Sequence, residues 1–167
     1  MTAAERVRLI ERYANGPALL RAALALVPAA ALRWAPAPGE WSAHEVVCHC
    51  ADAELNAAAR IRYLLAEQDP LLVGYDQEAW ARTLDYLKQP LEPALATVEA
   101  VRASTAALIR DLPDAAWSRR GRHTESGAYT ADGWLQIYAE HLEAHARQIE
   151  AAATAWAAAQ PRGSARS

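Results

Sequence analysis

The sequence predicts an all-α protein, and its composition and apolar spacing carry that prediction. Of the 167 residues, 53% are hydrophobic, many of them alanine, and only seven are glycine. Alanine is the strongest helix former, and so few glycines leave little material for the tight turns of an all-β fold. Apolar residues recur at spacings of three and four in four long stretches, which is the helical period. We therefore expect one helical domain over residues 1–159 and a disordered polar tail over residues 160–167.

Charge and hydropathy exclude several classes of partner. The net charge of −3 is spread along the chain without a basic block, so nucleic acid is not an expected partner. Arg, Glu or Pro interrupts each apolar run before it reaches membrane-spanning length, so no membrane partner is expected either. The N-terminal stretch MTAAERVRLIERY is amphipathic and charged, and it lacks the apolar middle of a signal peptide. Cytoplasmic residence is the expectation.

Both cysteines lie in the tripeptide Cys48-His49-Cys50. Two neighbours at this spacing on a helix point in different directions and cannot form a disulfide with each other. We expect reduced thiols in a reducing compartment. Either thiol is open to a catalytic or redox role, but a buried, unreactive cysteine is the more common state.

The first helix is predicted over residues 3–14 and 18–27, joined across Asn15-Gly16-Pro17. Pro17 lacks a backbone N–H and suits the first turn of a helical segment, so we expect one helix that is kinked at this point. The Ala- and Pro-rich residues 28–40 then form an irregular connector.

The start of the second helix carries the clearest local signal in the chain. Ser42 and Glu45 fit the capping box S-x-x-E, and Trp41 and Val46 are placed around it as a hydrophobic staple. The helix is expected from Ser42 to about Glu67. Its predicted inward-facing stripe consists of Val46, His49 or Cys50, Ala53, Ala57, Ile61 and Leu64.

The second half of the chain predicts two more long helices separated by irregular segments. Residues 69–89 are expected to form an excursion with one short helix that lies over the other helices, and the third helix follows at Glu92–Leu112. The polar residues 118–129 are the expected mobile loop. Thr130 is placed to cap the fourth helix, which continues to about Ala159.

Two histidines of the fourth helix, His141 and His145, lie where the apolar pattern calls for leucines. The stripe runs through Trp134, Tyr138, His141, His145, Ile149, Ala152 and Trp156. A buried imidazole needs partners for both ring nitrogens, because an unsatisfied polar group in a core costs about 1–3 kcal/mol. A divalent metal satisfies two such rings together, and carbonyls, hydroxyls or trapped water also satisfy them. The pair alone leaves both interpretations open.

A third histidine, His49, lies on the inward-facing stripe of the second helix. Three neutral imidazoles that meet in a core form a ligand set suited to Zn²⁺ or Ni²⁺. Such a set leaves coordination positions for water or substrate, as catalytic sites do. Asp52, one turn from His49, ranks highest among the nearby acids that could orient a ring N–H, ahead of Glu54, Glu140 and Glu143.

The remaining two histidines, His44 and His123, do not fit this set. His44 falls in the first turn of the second helix, where we expect a half-exposed side chain. His123 falls in the predicted loop, where we expect a position on the surface.

Two segments resemble the signatures of the DinB-like family. WSAHEVVCHCADAE, residues 41–54, is similar to the first signature, in which a Trp-Ser helix start precedes a metal-binding histidine and a downstream acid. GAYTADGWLQIYAEHLEAHARQI, residues 127–149, is similar to the second, which places two histidines four apart on the last helix. PAPGEW, residues 36–41, also resembles the family.

The resemblance implies a four-helix bundle of DinB/YfiT type, which is often dimeric, so a homodimer is expected. It also implies a divalent metal, Zn or Ni, held by His49, His141 and His145. The family includes S-transferases and isomerases that use low-molecular-weight thiols such as bacillithiol or mycothiol. In those enzymes the metal binds the thiol sulfur, lowers its pKa and presents a thiolate nucleophile. The resemblance assigns no residue of this sequence to the binding of a particular thiol.

The leading expectation is therefore a metal-dependent thiol S-transferase that acts on a small-molecule substrate. The first alternative is a metal-dependent hydrolase, in which bound water is the nucleophile. The second is a non-catalytic, stress-related bundle that binds a metal for stability. The third is a plain helical interaction domain whose core histidines have ordinary hydrogen-bond partners.

Overall fold

Four long helices and one short helix dominate the structure, a computed structural model that describes residues 1–160. The long helices are α1 (Ala3–Ala25), α2 (Ala43–Ala66), α4 (Leu91–Arg110) and α5 (Ala131–Ala159), and the short one is α3 (Gln77–Thr83). α1 packs most extensively on α5 and α2 on α4, while contacts of α2 with α5 and of α1 with α4 close the bundle. The predicted all-α class and four-helix bundle are confirmed.

The predicted starts of the second and fourth long helices, which are α2 and α5, are confirmed by their caps. Ser42 Oγ accepts the backbone N–H of Glu45 at 3.3 Å, and the Glu45 carboxylate accepts the backbone N–H of Ser42 at 2.9 Å. Thr130 Oγ1 accepts the backbone N–H of Gly133 at 3.0 Å. Thr2 forms a further capping box at the start of α1. The caps fix where α2 and α5 begin, and so which residues of each helix face inward.

α1 runs through Pro17 as one helix. Pro17 has no N–H to donate to the carbonyl of Tyr13, four residues earlier. The side chain of Arg102, from α4, takes that place, because its Nη1 donates to the Tyr13 carbonyl oxygen at 2.6 Å. Gly16 leaves the necessary room, since a Cβ there would lie 3.1 Å from Arg102 Nη1 and 3.0 Å from Leu142 Cβ. A buried side chain thus compensates for the proline.

A small sheet lies at one end of the bundle. Its strands are β1 (Leu71–Leu72), β2 (Arg120–His123) and β3 (Gly127–Thr130), in the order β1-β2-β3. β1 pairs in parallel with β2, and β2 and β3 form an antiparallel hairpin. The predicted mobile loop over residues 118–129 is instead this paired hairpin. Four-residue strands are too short to show an alternating pattern, and Gly127, with φ of +75°, supplies the left-handed turn.

The excursion over residues 69–89 contains the predicted short helix, α3, together with β1 and a 3₁₀ turn at Tyr86–Lys88. Among residues 1–160, none of the helices combines the length and the apolar composition that a membrane span requires. The predicted tail over residues 160–167 falls, apart from Gln160, outside the described residues.

Buried apolar side chains form two clusters along the bundle. One surrounds the first half of α2 and the middle of α5, and the other surrounds the second half of α2, the sheet and the first half of α5. The predicted inward-facing stripe of α2 is buried throughout. Between the two clusters lie the polar side chains of Glu54, Arg102 and His141. The bundle therefore has a polar layer near its middle.

Candidate metal centre

Three imidazole rings from two helices meet where the polar layer borders the first apolar cluster. His49 lies on α2 two turns after the Ser42 cap, and His141 and His145 lie one turn apart on α5. Ring centroids are 5.6 Å apart for His49 and His141, 4.8 Å for His49 and His145, and 4.6 Å for His141 and His145. One nitrogen of each ring lies within 4.8 Å of the others. The structure therefore brings together the three histidines singled out from the sequence.

The ring nitrogens have the hydrogen-bonding state that a metal site requires. Within residues 1–160, both nitrogens of His49 and Nδ1 of His141 are buried without a hydrogen-bond partner. Nδ1 of His145 lies 2.8 Å from Gln148 Oε1; an amide oxygen only accepts, so Nδ1 donates and Nε2 keeps its lone pair. Buried polar groups are almost always paired. Three converging rings with unsatisfied nitrogens therefore fit a divalent ion.

Burial keeps the three rings uncharged. It is the main cause that lowers the pKa of His49 to about 3, and the neighbouring His145 contributes as well. Burial also lowers the pKa of His141 well below its ordinary value and lowers that of His145. Neutral imidazole is the form that ligates a metal, so the rings are ready to bind at neutral pH.

The acid that approaches the rings is Glu54, not Asp52. The Asp52 carboxylate accepts the hydroxyl of Tyr86 at 2.6 Å. Glu54, two residues further along α2, is completely buried and has Oε1 3.9 Å from Nδ1 of His141. The sequence ranked Asp52 first because it lies one helical turn from His49, but the packing of α4 against α2 draws Glu54 into the polar layer.

Glu54 is held by a buried ion pair with Arg102, which the sequence analysis did not single out. Arg102 Nε and Nη2 donate to the two Glu54 oxygens, each at 2.7 Å. Nη2 also donates to the Tyr138 carbonyl oxygen at 2.8 Å, and the guanidinium lies 3.8 Å from the centre of the Tyr13 ring. The available sequence signal was a charged residue at an inward-facing position of α4.

A cavity opens beside the centre. Trp41 packs on His49 with 4.8 Å between ring centroids. A cavity of about 590 Å³ is bordered by Trp41, by His145 on α5, and by Glu78 at the start of α3. Its described lining includes the carboxylates of Glu40 and Glu78 but no lysine or arginine. One of the three rings thus faces a space large enough for a small molecule.

The other two histidines lie elsewhere, and neither is as exposed as the sequence predicted. His44 is 3% exposed, with Nε2 2.9 Å from the Gln89 carbonyl oxygen. His123 is 7% exposed on β2, where Nδ1 accepts the backbone N–H groups of Glu125 and Ser126 at 3.3 and 3.4 Å. Both rings have structural partners, His44 at the end of the excursion over residues 69–89 and His123 in the turn of its own hairpin.

The two cysteines are buried beside the centre. Burial raises the pKa of Cys48 to about 11 and that of Cys50 well above its ordinary value. Cys48 Sγ also lies 3.6 Å from the Tyr86 carbonyl oxygen. Protonated, enclosed thiols are poor nucleophiles, so both behave as core residues.

Comparison with known proteins identifies relatives over most of the chain. A model of the DinB superfamily matches residues 12–149. A protein of Oceanobacillus iheyensis, named as a candidate metal-dependent hydrolase, is 33% identical over 111 residues, or 66% of this chain and 64% of that protein. A protein of Bacillus licheniformis with the same description is 30% identical over 141 residues, or 82% and 78%. The chain spans slightly less than two thirds of several such relatives.

A solved structure shares the fold. YfiT from Bacillus subtilis superposes with a TM-score of 0.87 over 94% of this chain and 90% of that one, at 24% sequence identity. YfiT is described as a candidate metal-dependent hydrolase with an unusual four-helix bundle topology. At this level of identity the likeness establishes the fold alone.

Proposed function

This chain belongs to the DinB superfamily, and we propose that it is a metal-dependent hydrolase whose ion is held by His49, His141 and His145. The observation that carries the proposal is the convergence of three uncharged rings with unpartnered nitrogens beside a cavity. Three imidazole donors suit Zn²⁺ or Ni²⁺, and three protein ligands are the number typical of catalytic zinc sites. When bound, such an ion supplies Lewis-acid polarisation of a carbonyl and an acidified water.

The surrounding side chains have separable roles in this proposal. Gln148 fixes the tautomer of His145 through the bond to its Nδ1. Trp41 covers His49 and limits the access of bulk water to that ring. The cavity receives the substrate, and the Glu40 and Glu78 carboxylates make it more favourable for neutral or cationic small molecules than for anions.

Hydrolysis ranks above the thiol S-transfer implied by the resemblance. The named relatives are described as candidate metal-dependent hydrolases, which supports hydrolysis for this chain. The buried, protonated cysteines supply no thiolate of their own. Transfer of an external thiol and a non-catalytic role for the metal become outcomes of the experiment below. Homodimerisation, cytoplasmic residence and the small-molecule substrate stay predictions.

The experiment compares the purified, untagged protein with His145→Ala. We expect about one divalent ion per chain in the native protein, and hydrolysis of at least one member of an ester, amide and lactone panel that chelation abolishes. His145→Ala should lose both ion and activity, and its melting temperature should match that of the chelator-treated native protein, because this ring borders the cavity.

The matched control is His123→Asn, since an Asn oxygen can replace Nδ1 as the acceptor of the two backbone N–H groups. It should keep the full ion content. Conjugation of thiols to electrophiles without hydrolysis would favour the transferase. Full ion content in His145→Ala, or activity that survives chelation, would contradict the proposal.

A further inference from the structure

Glu54 has a position that a simple core ion pair does not require. Its carboxylate is 0% exposed, and Oε1 lies 3.9 Å from Nδ1 of His141. Within residues 1–160 that nitrogen is buried without a hydrogen-bond partner. The distance exceeds the limit of about 3.2 Å for an N–H···O bond, so the two groups must approach by about 0.7 Å for the bond to form. The carboxylate is thus an acceptor close to an unsatisfied ring nitrogen of the centre.

Arg102 connects this carboxylate to the other helices of the bundle. It donates to both Glu54 oxygens on α2, to the Tyr13 carbonyl on α1, and to the Tyr138 carbonyl on α5. The Tyr13 acceptor is available because Pro17 provides no N–H. Tyr138 lies one turn before His141, so the same guanidinium positions both the carboxylate and the segment that carries the ring.

We propose that Glu54 is a positioning residue of the centre, which accepts the Nδ1 hydrogen of His141 and directs Nε2 toward the other two rings, while Arg102 holds the carboxylate in place. The inference rests on the three-histidine centre proposed above. A ring held in this way has a fixed tautomer and orientation, so its Nε2 lone pair already points toward the ion. Carboxylates commonly fix metal-binding histidines in this manner.

The test removes the carboxylate without leaving an isolated charge in the core. Removing one partner of a buried ion pair is strongly destabilising, whereas apolar replacement of both is often neutral. We therefore combine Glu54→Leu with Arg102→Met. Pro17→Ala is added because its N–H restores the helical bond to the Tyr13 carbonyl, which would otherwise lose its only replacement donor. The triple variant leaves no unpaired charge in the core, although the buried Tyr13 hydroxyl loses its acceptor, Glu54 Oε2, at 3.4 Å.

The matched control is Arg12→Met with Glu143→Leu. This pair also bridges two helices through two hydrogen bonds, of 2.9 and 2.6 Å, and Glu143 is close to His141 in sequence. It is less buried than the Glu54–Arg102 pair, with side chains 41% exposed for Arg12 and 16% exposed for Glu143. Its removal should change stability slightly and leave the affinity for Zn²⁺ unchanged.

Two measurements report on the metal centre itself, independently of protein stability and of catalytic activity. In competition with a chromogenic chelator, the triple variant should bind Zn²⁺ about 10- to 100-fold more weakly than the native chain. In ¹⁵N spectra of the metal-free native protein, His141 should be the Nδ1–H tautomer, and the triple variant should lose that preference. Unchanged Zn²⁺ affinity in a folded triple variant would overturn the proposal.

The tautomer measurement needs no variant, so it stands even if the triple variant fails to fold. A native His141 with its hydrogen on Nε2 would overturn the proposal outright. The measurement is also independent of bound metal. A native chain that binds neither Zn²⁺ nor Ni²⁺ but shows the Nδ1–H tautomer would defeat the proposed hydrolase while leaving the contact between Glu54 and His141 intact.

Discussion

At the residue scale, His49 combines deep burial with an absence of conventional partners. Its side chain is 1% exposed, and among the described residues neither ring nitrogen has a hydrogen bond. Both features favour the neutral ring, and burial is the main reason that its pKa falls to about 3. The ring is therefore suited to bind a metal. In the metal-free chain it lowers the free energy of unfolding, because an unsatisfied buried polar group costs about 1–3 kcal/mol.

The metal-free protein should lose stability as the pH falls from 7.5 to 5.5. The unfolded chain protonates its histidines near pH 6.5, whereas the folded chain, with the pKa of His49 at about 3 and those of His141 and His145 also lowered, resists protonation. The free energy of unfolding is thus highest above pH 6.5 and falls by up to about 1.4 kcal/mol per pH unit for each such histidine. Urea titrations with chelator present measure it.

His49→Leu is the control for this prediction. The leucine removes one group that must stay neutral and fills the position with apolar atoms, so the metal-free variant should be more stable at pH 7 by about 1–3 kcal/mol. It should also show a shallower loss of stability on acidification. An identical pH slope in the variant and the native chain would contradict the assignment of His49 as a buried neutral ring.

The sequence was enough to predict that the three histidines face inward, but not which acid lies beside them. Each histidine interrupts an apolar stripe at helical spacing, so its inward direction follows from its own helix. Asp52 and Glu54 both lie within about a turn and a half of His49, and their directions differ through contacts with other helices. Asp52 binds Tyr86 and Glu54 binds Arg102. Only the packed bundle decides between them.

At the element scale, the helices were predictable because their signals are local. The capping box of Ser42 and the cap of Thr130 each involve residues three apart, and both appear as expected. The hairpin over residues 120–130 was missed because its strands are short, and β1, the third strand of the sheet, is distant in sequence. One helix through Pro17 was predicted, but the compensating bond from Arg102, a side chain from another helix, was not.

Gly16→Ala tests whether the close approach of α1 to α5 at this position contributes to stability. The alanine gains about 1 kcal/mol of helix propensity. Its Cβ would lie 3.0 Å from Leu142 Cβ and 3.1 Å from Arg102 Nη1, and such overpacking costs about 1–3 kcal/mol. Because Leu142 Cβ is fixed to the backbone, we expect a net loss of up to about 2 kcal/mol in the free energy of unfolding, measured by urea denaturation.

Ala22→Gly provides the comparison on the same helix. Ala22 is exposed on α1, so the reverse change should cost about 1 kcal/mol through propensity alone. A Gly16→Ala variant more stable than the native chain would show that α1 and α5 can separate freely at this point.

At the scale of the whole molecule, the centre exists only because α2 and α5 pack against each other. Helical periodicity predicts that His49, His141 and His145 face inward, but it does not fix the height at which the two helices meet. That height follows from the caps, from the Arg102 bridge and from the two apolar clusters above and below the polar layer. The meeting of the rings is therefore a property of the assembled bundle.

The final prediction concerns metal as a link between these two helices. A ligand that binds only the folded chain stabilises it by about 2.7 kcal/mol at 100 times its dissociation constant. Zn²⁺ at about 100 times its dissociation constant, added to the chelator-treated protein, should raise the free energy of unfolding by about 2.7 kcal/mol. Renewed chelation should reverse this gain. Hydrogen exchange should slow most around His49 in α2 and around His141 and His145 in α5, while β2 and β3, which carry no ligand, should change least. Equal stabilisation of His145→Ala, or slowing spread evenly over the chain, would contradict a site shared by α2 and α5.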